Sequence, residues 1–256
     1  MFKLIRILLL LSVLLFVTLS AFTMDASLRD WDKTKWVVVY PINVDGSQWT
    51  EEYIRTLTSD DFGAMEVFLN KEAERFNVGA SQAFRIVLGG TLQEQPPSAP
   101  QGGAWFENMW WSLKLRFWAN NVETGDSGPP ADIKVYVEYH DPKVYEVLPH
   151  SVGMRKLSLA VVKAFASKKM KLSNHIVIAH ELLHVFGASD KYDLMTNLPL
   201  YPIGYANPDI RPLFPQRKAE LMAGRIPLSE DKAAMPERFR HVVISELTAK
   251  EIGWLE

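Results

Sequence analysis

The chain has 256 residues, of which 48% are hydrophobic and 23% are charged, a composition that excludes a disordered protein and suits one good-sized domain or two small ones. Its formal net charge of -2 shows no excess of basic residues, so we expect no nucleic-acid partner. Because the chain has no cysteine, disulfide bonds, a disulfide-linked partner, a thiolate zinc site and a thiol nucleophile are all excluded.

The N-terminus carries an apolar segment that predicts membrane targeting. Lys3 and Arg6 precede a run from Ile7 to Phe22 that few polar residues interrupt. The run leads into Ala21-Phe22-Thr23-Met24, a poor match to the small-residue site at which signal peptides are cleaved. We therefore expect residues 1–24 to form an uncleaved signal anchor, a single transmembrane helix, with cleavage as the alternative.

The charges before this segment predict its orientation. Basic residues ahead of the apolar run keep the N-terminus in the cytoplasm and export the rest of the chain. We expect a single-pass protein of a bacterial cell membrane whose domain lies on the periplasmic or extracytoplasmic side. If the segment is cleaved, the protein is instead secreted or periplasmic. Residues 25–35 are polar and predict a short linker between the membrane and the domain.

The next elements predict a sheet with parallel strands. The runs Trp36–Ile42 and Phe84–Leu88 are rich in β-forming residues and predict two strands. Between them, residues from 59 or 60 to about 76 have the apolar spacing of an amphipathic helix. This β-α-β order predicts a parallel pair with a helical crossover, and hence an α/β domain with a mixed, twisted sheet.

A tryptophan-rich segment follows, and it is predicted to be helical from about residue 105 to 121. The simpler interpretation is that its large side chains pack the helix onto the sheet. The alternative is that they form a membrane-interface surface or the wall of a substrate site, because tryptophan favours positions with one apolar and one wet side. The side chains concerned are Trp105, Phe106, Trp110, Trp111, Leu113, Leu115, Phe117 and Trp118.

The most informative stretch follows two further predicted strands, at residues 132–139 and 157–165, and its pattern from position 180 onward is HExxHxxGxxD. Residues four apart share one face of a helix, so His180 and His184 can direct their imidazoles at one metal ion. Glu181 lies beside them and can accept a proton from a water that zinc activates. Glycine tolerates the left-handed conformation at a helix end, so the chain can turn at Gly187 and return Asp190 as a third zinc ligand.

The sequence leaves the third ligand open between two acidic residues. Zinc accepts carboxylate oxygens from Asp or Glu, so Glu220 is an alternative to Asp190. The spacing favours Asp190, because a lone downstream glutamate is more often a solvated residue. The metal helix itself is predicted to begin at Ser173 or Asn174, both of which are good N-cap residues.

At these residues the chain resembles the metzincin clan of zinc metallopeptidases, whose motif extends HExxHxxGxx to a third ligand, His or Asp. The sequence Asp190-Lys191-Tyr192-Asp193 is also similar to the DxYD that follows the motif in secreted bacterial metallopeptidases of the immune-inhibitor type. The resemblance is local and covers about residues 157–224.

This resemblance implies two further features. Metzincins place a methionine in a tight turn beneath the metal. Met222, in Leu221-Met222-Ala223-Gly224, is preferred for this role over Met195, which follows the motif too closely for the chain to loop back. The strand before the metal helix would lie at the sheet edge, so residues 157–165 would pair with an extended peptide substrate, with an ordinary internal strand as the alternative.

Together these features predict one metzincin-like domain over residues 36–256, a membrane-anchored zinc endopeptidase that acts on a peptide or protein substrate. Tyr192 is the first choice, ahead of Tyr201 or Tyr205, for a donor to the oxyanion that develops during attack on the carbonyl, because of its DxYD setting, and a structural role is the alternative. The alternatives are a zinc-dependent amidase or other hydrolase of an envelope substrate, and a non-catalytic binding module that zinc stabilises. The intact Glu181 and the set of three ligands argue against a binding module, since structural zinc sites normally have four protein ligands.

Overall fold

The structure is a computed structural model, and it describes residues 6–7, 11–12, 15, 26–100, 104–122 and 131–255. Most of the N-terminal apolar run, where the sequence predicts a signal anchor, lies outside the described residues. Within the part of the chain that the structure does describe, no helix is both long and apolar enough to cross a membrane.

A five-stranded sheet forms the centre of the domain, and its strand order is β2-β1-β3-β5-β4. Four strands, β2, β1, β3 and β5, run parallel to one another, whereas β4 runs antiparallel to β5. The predicted parallel pair and the predicted α/β class with a mixed sheet are therefore confirmed. The strands are β1 (Lys35–Asn43), β2 (Phe84–Leu88), β3 (Ile133–His140), β4 (Val152–Met154) and β5 (Leu159–Phe165).

Helices cover both faces of this sheet. They are α1 (Gln48–Arg55), α2 (Gly63–Arg75), α3 (Trp105–Asn121), α4 (Lys171–Phe186) and α5 (Glu246–Glu251). Val37 and Val39 of β1 share a buried cluster with apolar residues of α1, α2 and α4. Val38 and Tyr40 of the same strand point to the other face, where they share a second cluster with α3. The central strands are apolar almost throughout because both of their faces are buried.

The edge of the sheet next to α4, the helix of the HExxH motif, is β4 and not β5. The expectation that residues 157–165 form this edge is wrong, because β5 lies between β3 and β4. Residues 155–157 form a 3₁₀ turn, and Ser158 follows it with a φ of 50°, so the strand begins only at Leu159. The three-residue β4 is too short to be recognised from an alternating pattern, since strands usually have about five or six residues.

The polar segment before β1, predicted as a linker, contributes two side chains to the core. Leu28 and Trp31 are buried in the cluster that contains α4. The Trp31 ring lies 4.7 Å from that of Phe186, and its Nε1 donates to the Ile252 carbonyl at 2.9 Å. Lys35, also buried, donates from Nζ to backbone carbonyls of the same segment. Residues 28–35 therefore pack as part of the domain.

Helix α4 begins at Lys171, two or three residues before the predicted start. Neither Ser173 nor Asn174 caps it. The Ser173 hydroxyl donates to the Met170 carbonyl, and the Asn174 amide pairs with both the N–H and the carbonyl of Phe165 on β5. Asn174 is thus used to fix α4 to the sheet, a long-range contact that local capping preferences do not reveal.

The C-terminal third of the domain lies beneath α4 and consists of short elements. Strand β6 (Ala219–Glu220) pairs in parallel with β9 (Val242–Val243), and β7 (Ile226–Pro227) pairs antiparallel with β8 (Ala233–Ala234). A 3₁₀ turn at Leu221–Ala223 follows β6 directly. This turn contacts the motif helix.

Candidate metal centre

Helix α4 brings the two motif histidines together. They are one turn apart, and their Nε2 atoms lie 3.1 Å from each other. The helix ends at Gly187, which has a φ of 107°, and the Gly187 N–H donates to the carbonyls of Leu183 and His184. This left-handed cap turns the chain back on itself. As a result, Asp190 Oδ1 lies 3.1 Å from the Nε2 of both His180 and His184.

The outer ring nitrogens of both histidines are held by backbone carbonyls. His180 Nδ1 lies 3.0 Å from the Leu221 oxygen, and His184 Nδ1 lies 2.7 Å from the Ala188 oxygen. A carbonyl oxygen can only accept, so in each imidazole Nδ1 carries the hydrogen. The neutral rings then present lone pairs from both Nε2 atoms towards a carboxylate oxygen. Three acceptors facing one another repel unless a cation lies between them.

The three acceptor atoms fit a zinc ion. Zinc lies about 2.0–2.1 Å from nitrogen and oxygen ligands, so tetrahedral ligand atoms are about 3.3 Å apart. The observed separations of 3.1 Å need only a slight widening. Backbone carbonyls that fix the outer nitrogens of histidines are also common at metal sites, because they set the tautomer and orient the ring. Within the described residues, His180, His184 and Asp190 are the group of side chains that could hold a metal ion.

The charges at this site favour a cation. Burial acts to raise the pKa of Asp190, but its close contacts with the His180 and His184 rings outweigh burial and hold that pKa well below its usual range. Burial likewise acts to lower the pKa of His180, but the contact with Asp190 and the charge of Glu181 raise it overall. In the metal-free protein the carboxylate is therefore ionised and draws positive charge into the site.

Glu181 lies between the metal site and the edge strand. Its side chain is buried, and burial raises the pKa of its carboxyl despite the opposing charges of His180 and His184. The carboxylate accepts a hydrogen bond from the Gly153 N–H of β4. The approach of β4 to α4 requires a glycine, because a Cβ at position 153 would lie 2.7 Å from the His184 Cβ and would collide with the Glu181 carbonyl.

Glu220, the alternative third ligand, is fully buried and already used in the framework. Its carboxylate accepts hydrogen bonds from the Thr248 hydroxyl at 2.6 Å and the Ala223 N–H at 3.0 Å. It also accepts from the N–H and hydroxyl of Ser245, each at 3.2 Å. These contacts join the turn beneath His180 to the start of α5 and leave Asp190 as the carboxylate that faces the histidines.

Met222, predicted for the turn beneath the metal, is fully buried within Leu221–Ala223. The residue before it supplies the carbonyl that holds His180, and the Met222 carbonyl accepts from the Lys191 N–H at 3.0 Å. Met195, the other candidate, is 90% exposed on a loop. Met222 therefore lies next to α4, one residue from the carbonyl that holds His180.

Tyr192 presents a phenol beside the site. Its hydroxyl donates to the Asp190 carboxylate, and its ring centroid lies 6.3 Å from that of His180. Burial and the charge of Asp190 raise the pKa of the phenol, so it remains a neutral donor. Tyr201 and Tyr205 lie further along the chain, where their rings contact each other at 5.2 Å.

A cleft of about 590 Å³ opens over the metal helix. It extends from the segment that leads into β4 to the turn beneath His180. Apolar side chains line the cleft beside the polar groups of the motif, and this mixture is usual for a ligand site. Its lining includes His180, Glu181, Tyr192, Val177, Leu221 and Met235.

Glu251 of α5 is the important residue that the sequence does not identify. Its carboxylate accepts from the Ser189 N–H at 3.0 Å, the Ser189 hydroxyl at 2.6 Å and the Lys191 ammonium at 2.7 Å. These partners flank Asp190 on both sides, so Glu251 fixes the loop that carries Asp190. Lys191 is fully buried, and a buried ammonium requires a counter-charge, but no motif indicates which acidic residue supplies it.

Comparison with models of known protein families found no match, and comparison with curated proteins found no significant match. The function is therefore inferred from the side chains of the metal centre and from the surfaces around it.

Proposed function

We propose that this protein is a metzincin-like, zinc-dependent endopeptidase that hydrolyses peptide bonds with Glu181 as general base. The convergence of three lone-pair donors, His180 Nε2, His184 Nε2 and Asp190 Oδ1, carries the proposal. A set of three protein ligands leaves one position for water or substrate, which is typical of catalytic rather than structural zinc.

Each group near the site has a task in hydrolysis. Zinc bound by the three ligands would polarise the substrate carbonyl and acidify the attacking water. Glu181 accepts the proton from that water and delivers it to the leaving nitrogen. Its raised pKa makes it a stronger base than an exposed glutamate, and the Gly153 N–H keeps its carboxylate oriented. The Tyr192 hydroxyl would serve as a donor to the developing oxyanion, since its ring lies beside His180.

The edge strand supports a peptide as the substrate. Among the described strands, β4 pairs with β5 alone, so no other described strand lies along its second side. An extended peptide can add to such an edge through main-chain hydrogen bonds. Because Gly153 of β4 contacts the Glu181 carboxylate, a peptide on this edge would pass directly beside the general base. The adjoining cleft can accept one of its side chains.

The test uses the full-length protein, purified in detergent, with metal analysis and a peptide-library cleavage profile before and after chelation. We expect bound zinc, cleavage that chelation abolishes, and a loss of at least about 100-fold in Glu181→Gln, because general base catalysis typically contributes 10²–10⁴-fold. Glu181→Gln should still bind zinc. The matched control is Glu74→Gln on the exposed side of α2, which should cleave normally.

Full cleavage by Glu181→Gln, or purified protein that binds no metal, would sink the proposal. Zinc binding without cleavage of any peptide would favour the amidase or binding-module alternative instead.

We further propose that the enzyme is anchored in a bacterial cell membrane by residues 1–24, with its domain on the extracytoplasmic side. The apolar run and its preceding basic residues support this placement. Mass spectrometry of protein isolated from membranes is expected to find the intact N-terminus. A mass that lacks this segment would instead establish cleavage and a secreted or periplasmic enzyme.

A further inference from the structure

Helix α3 carries large apolar side chains on the side that faces away from the sheet. These side chains are between 51% and 76% exposed. Their spacing places them along a single stripe of the helix surface, because residues three, four and seven apart share one face. This aromatic stripe consists of Trp105, Phe106, Met109, Trp110, Leu113 and Phe117.

The attachment of α3 to the sheet does not involve the aromatic stripe. Leu115 and Ala119, on the opposite side of the helix, are buried in the cluster with the outer-face residues of β1 and β3. The Trp118 ring contacts Tyr136 at 4.7 Å, and Trp111 Nε1 donates to the Pro97 carbonyl at 2.8 Å. The simpler expectation from sequence, that the aromatic residues pack α3 onto the sheet, holds for these side chains and not for the stripe. Helix α3 is therefore apolar on two opposite sides.

Two cationic residues border the stripe. By helical spacing, Arg116 lies along one margin and Lys114 along the other, and both are exposed. Lys114 Nζ lies 5.8 Å from the Trp110 ring centroid, so its alkyl stem follows the apolar surface while its charge stays at the rim. The acidic residue of α3, Glu107, is used to cap the helix start through the Ala104 N–H. Exposed Trp and Phe with cations at the margin are typical of helices that lie in a phospholipid interface.

The N-terminal sequence would keep α3 near a bilayer. Only five residues lie between Phe22, where the apolar run ends, and Leu28, which is packed in the core. The six residue-to-residue steps from Phe22 to Leu28 span at most about 20 Å when fully extended. If the run enters the membrane, the domain must lie against the surface and present one of its faces to the lipid.

We propose that the aromatic stripe of α3 lies in the interface of a phospholipid bilayer and orients the domain on the membrane. This role is independent of zinc binding and of peptide hydrolysis. The stripe inserts its Trp, Phe, Leu and Met side chains at the level of the headgroups, and Lys114 and Arg116 pair with lipid phosphates.

The lack of cysteine allows a site-specific test in the full chain. Leu113→Cys and Phe117→Cys are labelled with a nitroxide, and the protein is reconstituted into vesicles of phosphatidylcholine and phosphatidylglycerol. Val67→Cys is the matched control, because Val67 is an apolar residue of α2, 67% exposed on the other side of the sheet. Power-saturation measurements compare the accessibility of each label to oxygen, which enters lipid, and to a water-soluble nickel chelate.

We expect the oxygen-to-nickel accessibility ratio at positions 113 and 117 to be several-fold higher than at position 67. Equal ratios at all three positions would overturn the proposal, since the stripe would then face water. Low accessibility of positions 113 and 117 to both reagents would also overturn it, because a second copy, the N-terminal segment or another protein would then cover the stripe. Zinc content and near-ultraviolet circular dichroism establish that each labelled variant is folded.

Discussion

Asp190 and Glu220 are both acidic residues close to the histidines, but their surroundings assign them different tasks. The Asp190 oxygen faces two imidazole lone pairs, whereas the Glu220 oxygens accept hydrogen bonds from Ala223, Ser245 and Thr248. Spacing within the motif identifies the histidines, Glu181 and Asp190 from sequence, because a single helix and its cap determine where they lie. Glu220 cannot be assigned in this way, because its partners are distant in sequence.

Alanine substitution of each acidic residue separates these tasks. Asp190→Ala is expected to weaken zinc binding by more than about 100-fold, because even residues that only support a ligand contribute 10–100-fold. Glu220→Ala is expected to keep zinc but to lower the free energy of unfolding of the metal-free protein by about 2–4 kcal/mol, because it leaves buried donors without an acceptor. Metal analysis and denaturant titration measure the two effects. Retention of zinc by Asp190→Ala would contradict the assignment of the third ligand.

At the scale of elements, the contact between α4 and β4 joins the motif helix to the edge strand of the sheet. The motif predicts α4 and its glycine cap from local chemistry alone. By contrast, β4 is a strand only because β5 and α4 hold it, so its three residues carry no periodic pattern of their own. The need for glycine at position 153 likewise cannot be predicted from the local sequence. A side chain there would clash with α4, which follows later in the chain.

Substitution of this glycine tests the contact. Gly153→Ala is expected to destabilise the protein by about 1–3 kcal/mol, the usual cost of overpacking, and to reduce peptide hydrolysis by moving β4 away from Glu181. The control is Gly63→Ala at the start of α2, where an added Cβ meets nothing within 4 Å and φ is -57°. That change should leave stability unchanged or raise it by up to about 1 kcal/mol. Equal effects at the two glycines would argue against close packing of β4 on α4.

Helix α4 also contains a pH-sensitive core residue, His175, which lies away from the metal face. Its ring contacts Phe62 at 4.9 Å, and burial lowers its pKa from 6.5 to about 4. Between pH 6.5 and about pH 4, His175 is protonated in the unfolded chain but neutral in the folded protein. The free energy of unfolding is therefore not reduced by His175 above pH 6.5. It falls as the pH drops through this window, by about 3 kcal/mol at most.

His175→Phe removes the titrating group and keeps the ring contact. In chelator, the free energy of unfolding of this variant should fall less between pH 6.5 and 4 than that of the parent protein. His150→Asn, at an exposed histidine, serves as the control and should behave like the parent. Identical pH profiles for His175→Phe and the parent protein would show that His175 is not the source of the acid sensitivity.

At the scale of the whole molecule, the segment before β1 closes the core around the end of α4. The Trp31 ring contacts Phe84, Phe186 and Trp254, which belong to β2, to α4 and to the chain after α5. The polar composition of residues 25–35 predicts a linker, because most of its side chains are indeed polar. A single tryptophan among polar residues has no periodicity, so its burial depends on a pocket that distant elements form.

Trp31→Ala should therefore lower the free energy of unfolding by about 3–5 kcal/mol, as expected for a large aromatic side chain removed from a core. Trp105→Ala is the matched control, since Trp105 is 76% exposed and should cost less than about 0.5 kcal/mol in detergent. Denaturant titration of the full chain measures both. A small loss in Trp31→Ala would restore the interpretation of this segment as a linker.

The carboxylates of Glu220 and Glu251 connect the candidate metal site to α5, which is synthesised late. Glu220 binds the start of α5, and Glu251, on α5 itself, binds both neighbours of Asp190. The ribosome releases the histidine helix well before it makes α5, and nascent chains fold from the N-terminus onward. A growing chain therefore contains His180 and His184 before it contains Glu251, which holds the neighbours of Asp190 in place. We expect any hydrolytic activity of the proposed zinc site to appear only after α5 has been synthesised and has packed against the loop of Asp190.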